Sequence, residues 1–163
     1  YDAIIASMSI TDERKKTIDF TNKYYSNYLA IIGEKGKVAG ANDLAGKVVG
    51  AQRSTLASQW AEDNLMGKAD VKLYDTQTAA YADLSAGRLE AMVSDIYPAM
   101  DWLKDNSSYE LSGNAIDIND QIGIGIRQGE SDLKAAFNKA IDAIRTNGTY
   151  AKINAKYFSA DIY

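Results

Sequence analysis

The chain has 163 residues, 18 basic and 22 acidic side chains, a net charge of −4, and neither cysteine nor histidine. Without Cys there is no disulfide, thiolate metal site, iron–sulfur cluster or cysteine nucleophile; without His there is no Ser-His-Asp catalysis and little zinc or imidazole chemistry. Mild acidity with no basic stripe argues against nucleic acid as a partner, and apolar runs as short as Leu29 to Ile32 do not reach the length of a membrane span. The size suits one domain or two small lobes. The opening Tyr1-Asp2-Ala3-Ile4-Ile5 reads as the middle of a strand, with no signal-peptide pattern. It suggests a processed chain, an engineered fragment or part of a longer polypeptide.

Asp2 to Met8 is strand-like. Thr11-Asp12-Glu13-Arg14 reads as a helical turn capped by Thr11. Tyr24 to Ile32 is β-rich, Gly33, Gly36 and Gly40 punctuate a loop, and Asn42 to Gly46 forms a capped turn. A regular alternation follows. Val48 to Gln52 is a strand, and Ser54 and Thr55 can cap a helix carrying Leu56, Trp60, Leu65 and Met66. Val71 to Tyr74 is a strand, and Thr76 caps a helix that ends at Gly87. Ala91 to Ser94 is a strand, followed by a helix that tolerates Pro98 in its first turn, and then by the short strand Tyr109 to Leu111. Such βαβ order predicts a parallel, doubly wound α/β sheet.

Ile122-Gly123-Ile124-Gly125-Ile126 alternates strictly and predicts a strand whose glycines permit close approach or a bend. Ser131-Asp132 would cap a long helix with Leu133, Phe137, Ile141 and Ile144 on one face, stopped by Gly148; a second helix runs from about Tyr150 to Lys156. The middle block can close its own sheet. The two ends look like pieces of another sheet.

Several separated segments resemble, in order, the polar amino-acid-binding proteins of ABC importers. They are Ala6 to Arg14, Thr17 to Thr21 with Tyr24-Tyr25, Leu44 to Gln52, Asp83 to Ala91, and Asn147 to Tyr150. The tail Lys156-Tyr157-Phe158-Ser159-Ala160-Asp161-Ile162-Tyr163 is similar to the basic-amino-acid and opine branch. The resemblance implies a type II periplasmic-binding-protein fold: two doubly wound α/β lobes joined by crossover strands. Residues 1–26 would belong to lobe 1, residues 27–120 would form lobe 2, and residues 121–163 would return to lobe 1 and its C-terminal helices. The opening part of lobe 1 is expected to be absent. The implied partners are a free L-amino acid, a membrane permease, and a missing N-terminal segment or second chain that completes lobe 1. The implied location is periplasmic, or extracellular and membrane-anchored. No enzyme activity, cofactor, metal or nucleic acid is implied.

A free amino acid offers a carboxylate and an ammonium a few bonds apart, so its binder needs a fixed cation, oriented N–H donors and a fixed anion. The resemblance gives these roles to Arg14 and Thr55 at the carboxylate and to Asp95 at the ammonium, with Ser7 and Ser9 bonding the same groups. Ser54 and Leu56 flank Thr55 on the same wall. Leu56 stands where the basic-ligand branch commonly has Gln, which makes that wall apolar. The expected ligand is arginine, lysine, ornithine or a related basic compound.

Each of these residues also has a plainer reading. Arg14 lies in the charged run Asp12 to Lys16, which alone reads as a solvated face. Asp95 and Thr55 read as helix caps, and Trp60 and Trp102 as core. Two rivals share the fold: a ligand-sensing domain of a receptor, and a dehydratase acting through a carboxylate or lysine.

Overall fold

The computed structural model describes residues 1–158 and 160–163; Ser159 of the tail motif lies outside the described residues. The strands are β1 (Ala3–Ser9), β2 (Ile18–Glu34), β3 (Val48–Gln52), β4 (Asp70–Tyr74), β5 (Ala91–Asp95), β6 (Tyr109–Leu111) and β7 (Ile116–Arg127). The helices are α1 (Leu56–Leu65), α2 (Gln77–Ser85), α3 (Ile96–Asp105), α4 (Ser131–Thr146) and α5 (Thr149–Tyr157), with 3-10 turns at Arg14–Lys16 and Ala41–Asp43. These elements form two compact units, Tyr1–Asn27 with Asn119–Tyr163, and Tyr28–Ile118. Strands β2 and β7 contribute residues to both.

In the unit Tyr28–Ile118, β3 pairs in parallel with β4 and with β5, as the alternating pattern predicts. The sheet is nevertheless mixed. Strand β2 runs antiparallel to β5, from Leu29↔Asp95 to Gly33↔Ala91, and β6 runs antiparallel to β2. Periodicity marks a strand but not the direction of its neighbour, which is why this reversal is not visible in the sequence.

Side-chain alternation sorts the apolar run of β2 onto two faces. Leu29 and Ile31, with Val49, Ala91 and Val93, pack against Ala57, Ala61 and Leu65 of α1. Ala30 and Ile32, with Met92, pack against Ala80 and Leu84 of α2 and Ala99 of α3. Trp60 joins the first cluster and Trp102 the second, where its ring stacks on Tyr81 at 4.7 Å between centroids and 6° between planes. Both tryptophans are partly buried and pack against the core, and neither lines the cleft described below.

In the other unit, β1 pairs antiparallel with β7, Ala3↔Ile126 to Ser9↔Ile122, with an irregularity between Ile4 and Met8. There Ser7 takes a left-handed φ of 54°. Ile124, Ile126 and Ile141 form a small core with the half-buried Tyr24, Leu133 and Phe137. The β7 glycines do meet close neighbours: a Cβ on Gly123 would lie 2.8 Å from Ile10 Cδ1, and one on Gly125 would lie 3.2 Å from Met8 Sδ.

Two elements differ from expectation. Strand β2 begins at Ile18, well before Tyr24, because its buried polar residues find distant partners; the Thr21 hydroxyl accepts from the Ile124 N–H at 3.0 Å. Helix α4 already includes Ser131, and its N-cap residue, Glu130, makes no side-chain cap. Asp132 instead sits in the first turn, where a negative charge suits the helix dipole. Gly148, at φ 80°, follows the α4 C-cap Asn147 in the left-handed conformation, as expected for the stop of that helix, and is also the N-cap of α5.

Candidate functional site

The ends of β3 and β5 and the starts of α1, α2 and α3 lie at one edge of the parallel strands, where α/β sheets place ligands. A shallow cleft opens there, of about 230 Å³ when the open solvent at its mouth is counted. Its polar lining is Gln52, Thr55, Gln77, Ser94 and Asp95, over a floor that includes Ala57, Met92 and Val93.

Thr55 is the N-cap of α1, which fixes its place in the strand-to-helix turn. Its Oγ1 accepts from the Ser58 N–H at 3.2 Å and donates to the Gln52 carbonyl at 2.7 Å, while its own N–H donates to Ser58 Oγ at 3.3 Å. This reciprocal cap occupies the Thr55 hydroxyl. The donors left at the helix start are the N–H groups of Leu56 and Ala57, for which there is no acceptor among the described residues. The Leu56 side chain is half-buried. Ser54, just before the cap, has a left-handed φ of 60°, a conformation that costs a serine free energy and is common at ligand sites.

Asp95 occupies the N-cap position of α3 but makes no side-chain cap bond, so the plain capping role does not account for it. Next to it, the buried Ser94 hydroxyl donates to the Asp95 carbonyl at 3.1 Å. Gln77 Nε2 donates to Ser94 Oγ at 2.7 Å and to the Tyr81 hydroxyl at 2.6 Å. Burial, foremost, pushes the Tyr81 phenol above its ordinary pKa, and the charge of Asp95 adds to the shift.

Arg14, Ser9 and Ser7 belong to the other unit. Arg14 is half-buried while Asp12, Glu13, Lys15 and Lys16 around it are exposed, so the charged run is not uniformly a solvated face. Lys15 pairs with Asp12 at 3.1 Å and Lys16 with Glu13. Arg14 Nη1 donates to the carbonyl of the buried Ser9 at 3.0 Å, and its N–H donates to Thr11 Oγ1 at 3.2 Å. The Thr11 hydroxyl thus caps the turn as expected. Ser7 is exposed, and its N–H donates to the Tyr24 hydroxyl at 3.2 Å.

The expected site residues therefore fall into two sets. Ser54, Thr55, Leu56 and Asp95 share one sheet edge; in the other unit Arg14 meets Ser9, and Ser7 lies further back on β1. Sequence reasoning missed Gln52 and Gln77. Their signal is topological: one ends β3, and the other opens the helix that follows β4. Among the described residues no group of three or more Asp or Glu is placed to hold a metal ion, and no helix is long and apolar enough to cross a membrane.

A polar cleft at the carboxyl ends of parallel strands, with a helix start on one wall and a carboxylate on another, is the layout of a small-ligand binding protein. The chain belongs to the bacterial extracellular solute-binding proteins, family 3, whose pattern matches residues 1–160. It is 41% identical over 174 residues to the L-arginine-binding protein of Pseudomonas aeruginosa, covering 99% of this chain and 66% of that one. It is 35% identical over 165 residues to an L-cystine-binding protein of Escherichia coli, covering 99% of this chain and 61% of that one. Among solved structures, an ancestral arginine-binding protein bound to arginine superposes with a TM-score of 0.90 at 34% identity, covering 97% of this chain and 72% of that one. The fold is that of type II periplasmic binding proteins, and this chain spans just under two thirds of the length of the curated relatives it matches.

Proposed function

We propose that the protein carrying this chain reversibly binds a free polar amino acid, with arginine or a related basic compound foremost, and delivers it to the membrane permease of an ABC importer. On this reading it works in the periplasm, or outside the cell on a membrane anchor. The observation that supports it most is the cleft itself: Asp95, which does not cap its helix, and Thr55 and Ala57 at the start of α1 line one small volume. That arrangement complements a zwitterion. Asp95 takes the α-ammonium, and the N–H groups of Leu56 and Ala57, held in place by the Thr55 cap, take the α-carboxylate. Arg14, Ser7 and Ser9, which lie in the other unit, are given ligand-binding roles by the family resemblance. Residues 1–26 and 121–163 are the parts of lobe 1 in this chain, and residues 27–120 are lobe 2.

The names of the relatives support arginine, and the cystine binder among them shows that one family framework serves different side chains. Capture needs no covalent step. Charge-assisted hydrogen bonds of this kind contribute about 1.5–3 kcal/mol each. A ligand that binds one conformation better than another shifts the protein toward it, which is what a permease can read.

The test is calorimetric titration of the full protein with L-arginine, L-lysine, L-ornithine and L-cystine, beside N-acetyl-L-arginine, whose ammonium is blocked. Binding of a free basic amino acid and rejection of the acetylated one supports the reading. Binding of neither, with no thermal shift, overturns it.

A further inference from the structure

We propose that Gln128 is a positioning residue for ligand capture: its carboxamide clamps the turn that carries Arg14, and so sets where that guanidinium stands. The inference rests on the amino-acid-binding reading above, which gives Arg14 a ligand-binding role, and names a residue on which that role depends. Gln128 lies just past β7, in the short loop before α4.

Arg14 opens a 3-10 turn of three residues, Arg14–Lys16. So short a piece has little stability of its own, and outside contacts decide its place. Its start is held by Thr11, whose hydroxyl accepts from the Arg14 N–H at 3.2 Å and whose carbonyl accepts from the Lys15 N–H at 3.0 Å. Its end is held by Gln128, whose Nε2 donates to the Lys16 carbonyl at 3.0 Å and to the Lys15 carbonyl at 3.3 Å. Carbonyl oxygens can only accept, so the amide nitrogen, and not the amide oxygen, must face them. Two N–H groups on one nitrogen thus meet two carbonyls at the end of the turn, where helical carbonyls lack partners within the helix.

The loop that presents Gln128 is itself tied down. Asp19 Oδ2, at the start of β2, accepts from the Gly129 N–H at 3.2 Å, a second bond between the same two segments. Gly129 has a left-handed φ of 85°, and its carbonyl accepts from the Ser131 N–H at 2.9 Å. Behind it, β7 is buried from Ile122 to Ile126. The chain of contacts therefore runs from a core strand through Gln128 to the turn and Arg14. The Gln128 bonds are exposed, so their loss loosens the turn rather than melting the fold. Affinity then falls with the fraction of molecules that keep the turn in place.

The experiment compares the intact protein with Gln128→Met, which keeps the length but cannot donate, and Gln128→Lys, which can. Calorimetry with L-arginine is read beside amide hydrogen exchange at Lys15, Lys16 and Thr17. Gln128→Met should weaken L-arginine binding about fivefold and speed exchange at those three amides, and Gln128→Lys should restore most of both. Faster exchange with unchanged affinity would mean that the clamp has no part in binding. An affinity loss without faster exchange, or one that Gln128→Lys does not repair, would mean that Gln128 acts by another route. Each of these results overturns this inference and leaves the amino-acid-binding reading standing. An unsubstituted protein that ignores L-arginine overturns that reading, and this inference with it.

Discussion

Asn27 donates from Nδ2 to Asp120 Oδ2 at 2.8 Å, and both residues are buried. They lie on β2 and β7, and the residue beside Asp120, Asn119, takes a left-handed φ of 52° in mid-strand. Such a conformation costs roughly 1–3 kcal/mol and persists only where neighbouring contacts enforce it. The other oxygen of Asp120, Oδ1, is buried without a hydrogen-bond partner among the described residues, so the bond from Asn27 matters more than its number suggests. Asn27→Leu strands the carboxylate and should cost about 3 kcal/mol, whereas Asp120→Asn, which leaves no buried charge, should cost about 1 kcal/mol. Urea unfolding measures both; equal, small losses would contradict the pairing.

Tyr74, Asp83 and Arg88 form a chain whose behaviour with pH can be signed. The Tyr74 hydroxyl donates to Asp83 Oδ2 at 2.8 Å, and Arg88 donates to Asp83 Oδ1 at 2.6 Å and 3.0 Å. The hydrogen bond from Arg88, then that from Tyr74, holds Asp83 below its ordinary pKa. Desolvation, then the Asp83 bond and charge, pushes Tyr74 up to about 12. A raised pKa means that the folded state keeps its proton longer. The stabilisation from Tyr74 is therefore complete below pH 10 and lost as pH rises from about 10 to about 12. The Asp83 contribution runs the other way: it is complete above about pH 4 and lost as pH falls below that. Tyr74→Phe should remove a phenolate step near pH 12 from an absorbance titration and flatten the alkaline loss of stability; Asp83→Asn should bring that step to lower pH.

The Thr55 cap separates a structural role from a binding role. Thr55→Ala removes the acceptor for the Ser58 N–H and the donor to the Gln52 carbonyl, and should cost about 1 kcal/mol in thermal or chemical unfolding. It should also weaken L-arginine binding, because the Leu56 and Ala57 donors lose their anchor. Thr55→Ser should keep most of both. A stability loss with unchanged affinity would place the ligand carboxylate elsewhere.

Gly123 tests the packing of β7. A side chain there meets Ile10 Cδ1 at 2.8 Å and Phe20 Cδ1 at 3.3 Å. Gly123→Val should destabilise by about 1–3 kcal/mol through overpacking, read from the urea midpoint. A neutral result would mean that Ile10 has room to turn aside.

The stretch from β3 to α3 was readable from the sequence because its signals are local. Thr55 and Thr76 cap α1 and α2, and each side chain accepts from a backbone N–H three residues on. Strand β2 was only partly readable. Its early half carries Asn22, Lys23, Ser26 and Asn27, which break the apolar pattern, and the partners that make its buried Thr21 and Asn27 tolerable lie 103 and 93 residues away. In the candidate site, Thr55 and Asp95 were reached through the family resemblance; by themselves both read as helix caps. Gln77 was not reached: a glutamine after a threonine cap looks solvated until β4 and β5 are placed side by side around β3.

The most direct test of the account is the affinity of the intact protein for L-arginine when Asp95 is made neutral. Asp95→Asn keeps the shape and removes the charge proposed to hold the ammonium. The account predicts a loss of about a hundredfold or more in calorimetric affinity. Affinity within a few-fold of the unsubstituted protein would contradict it.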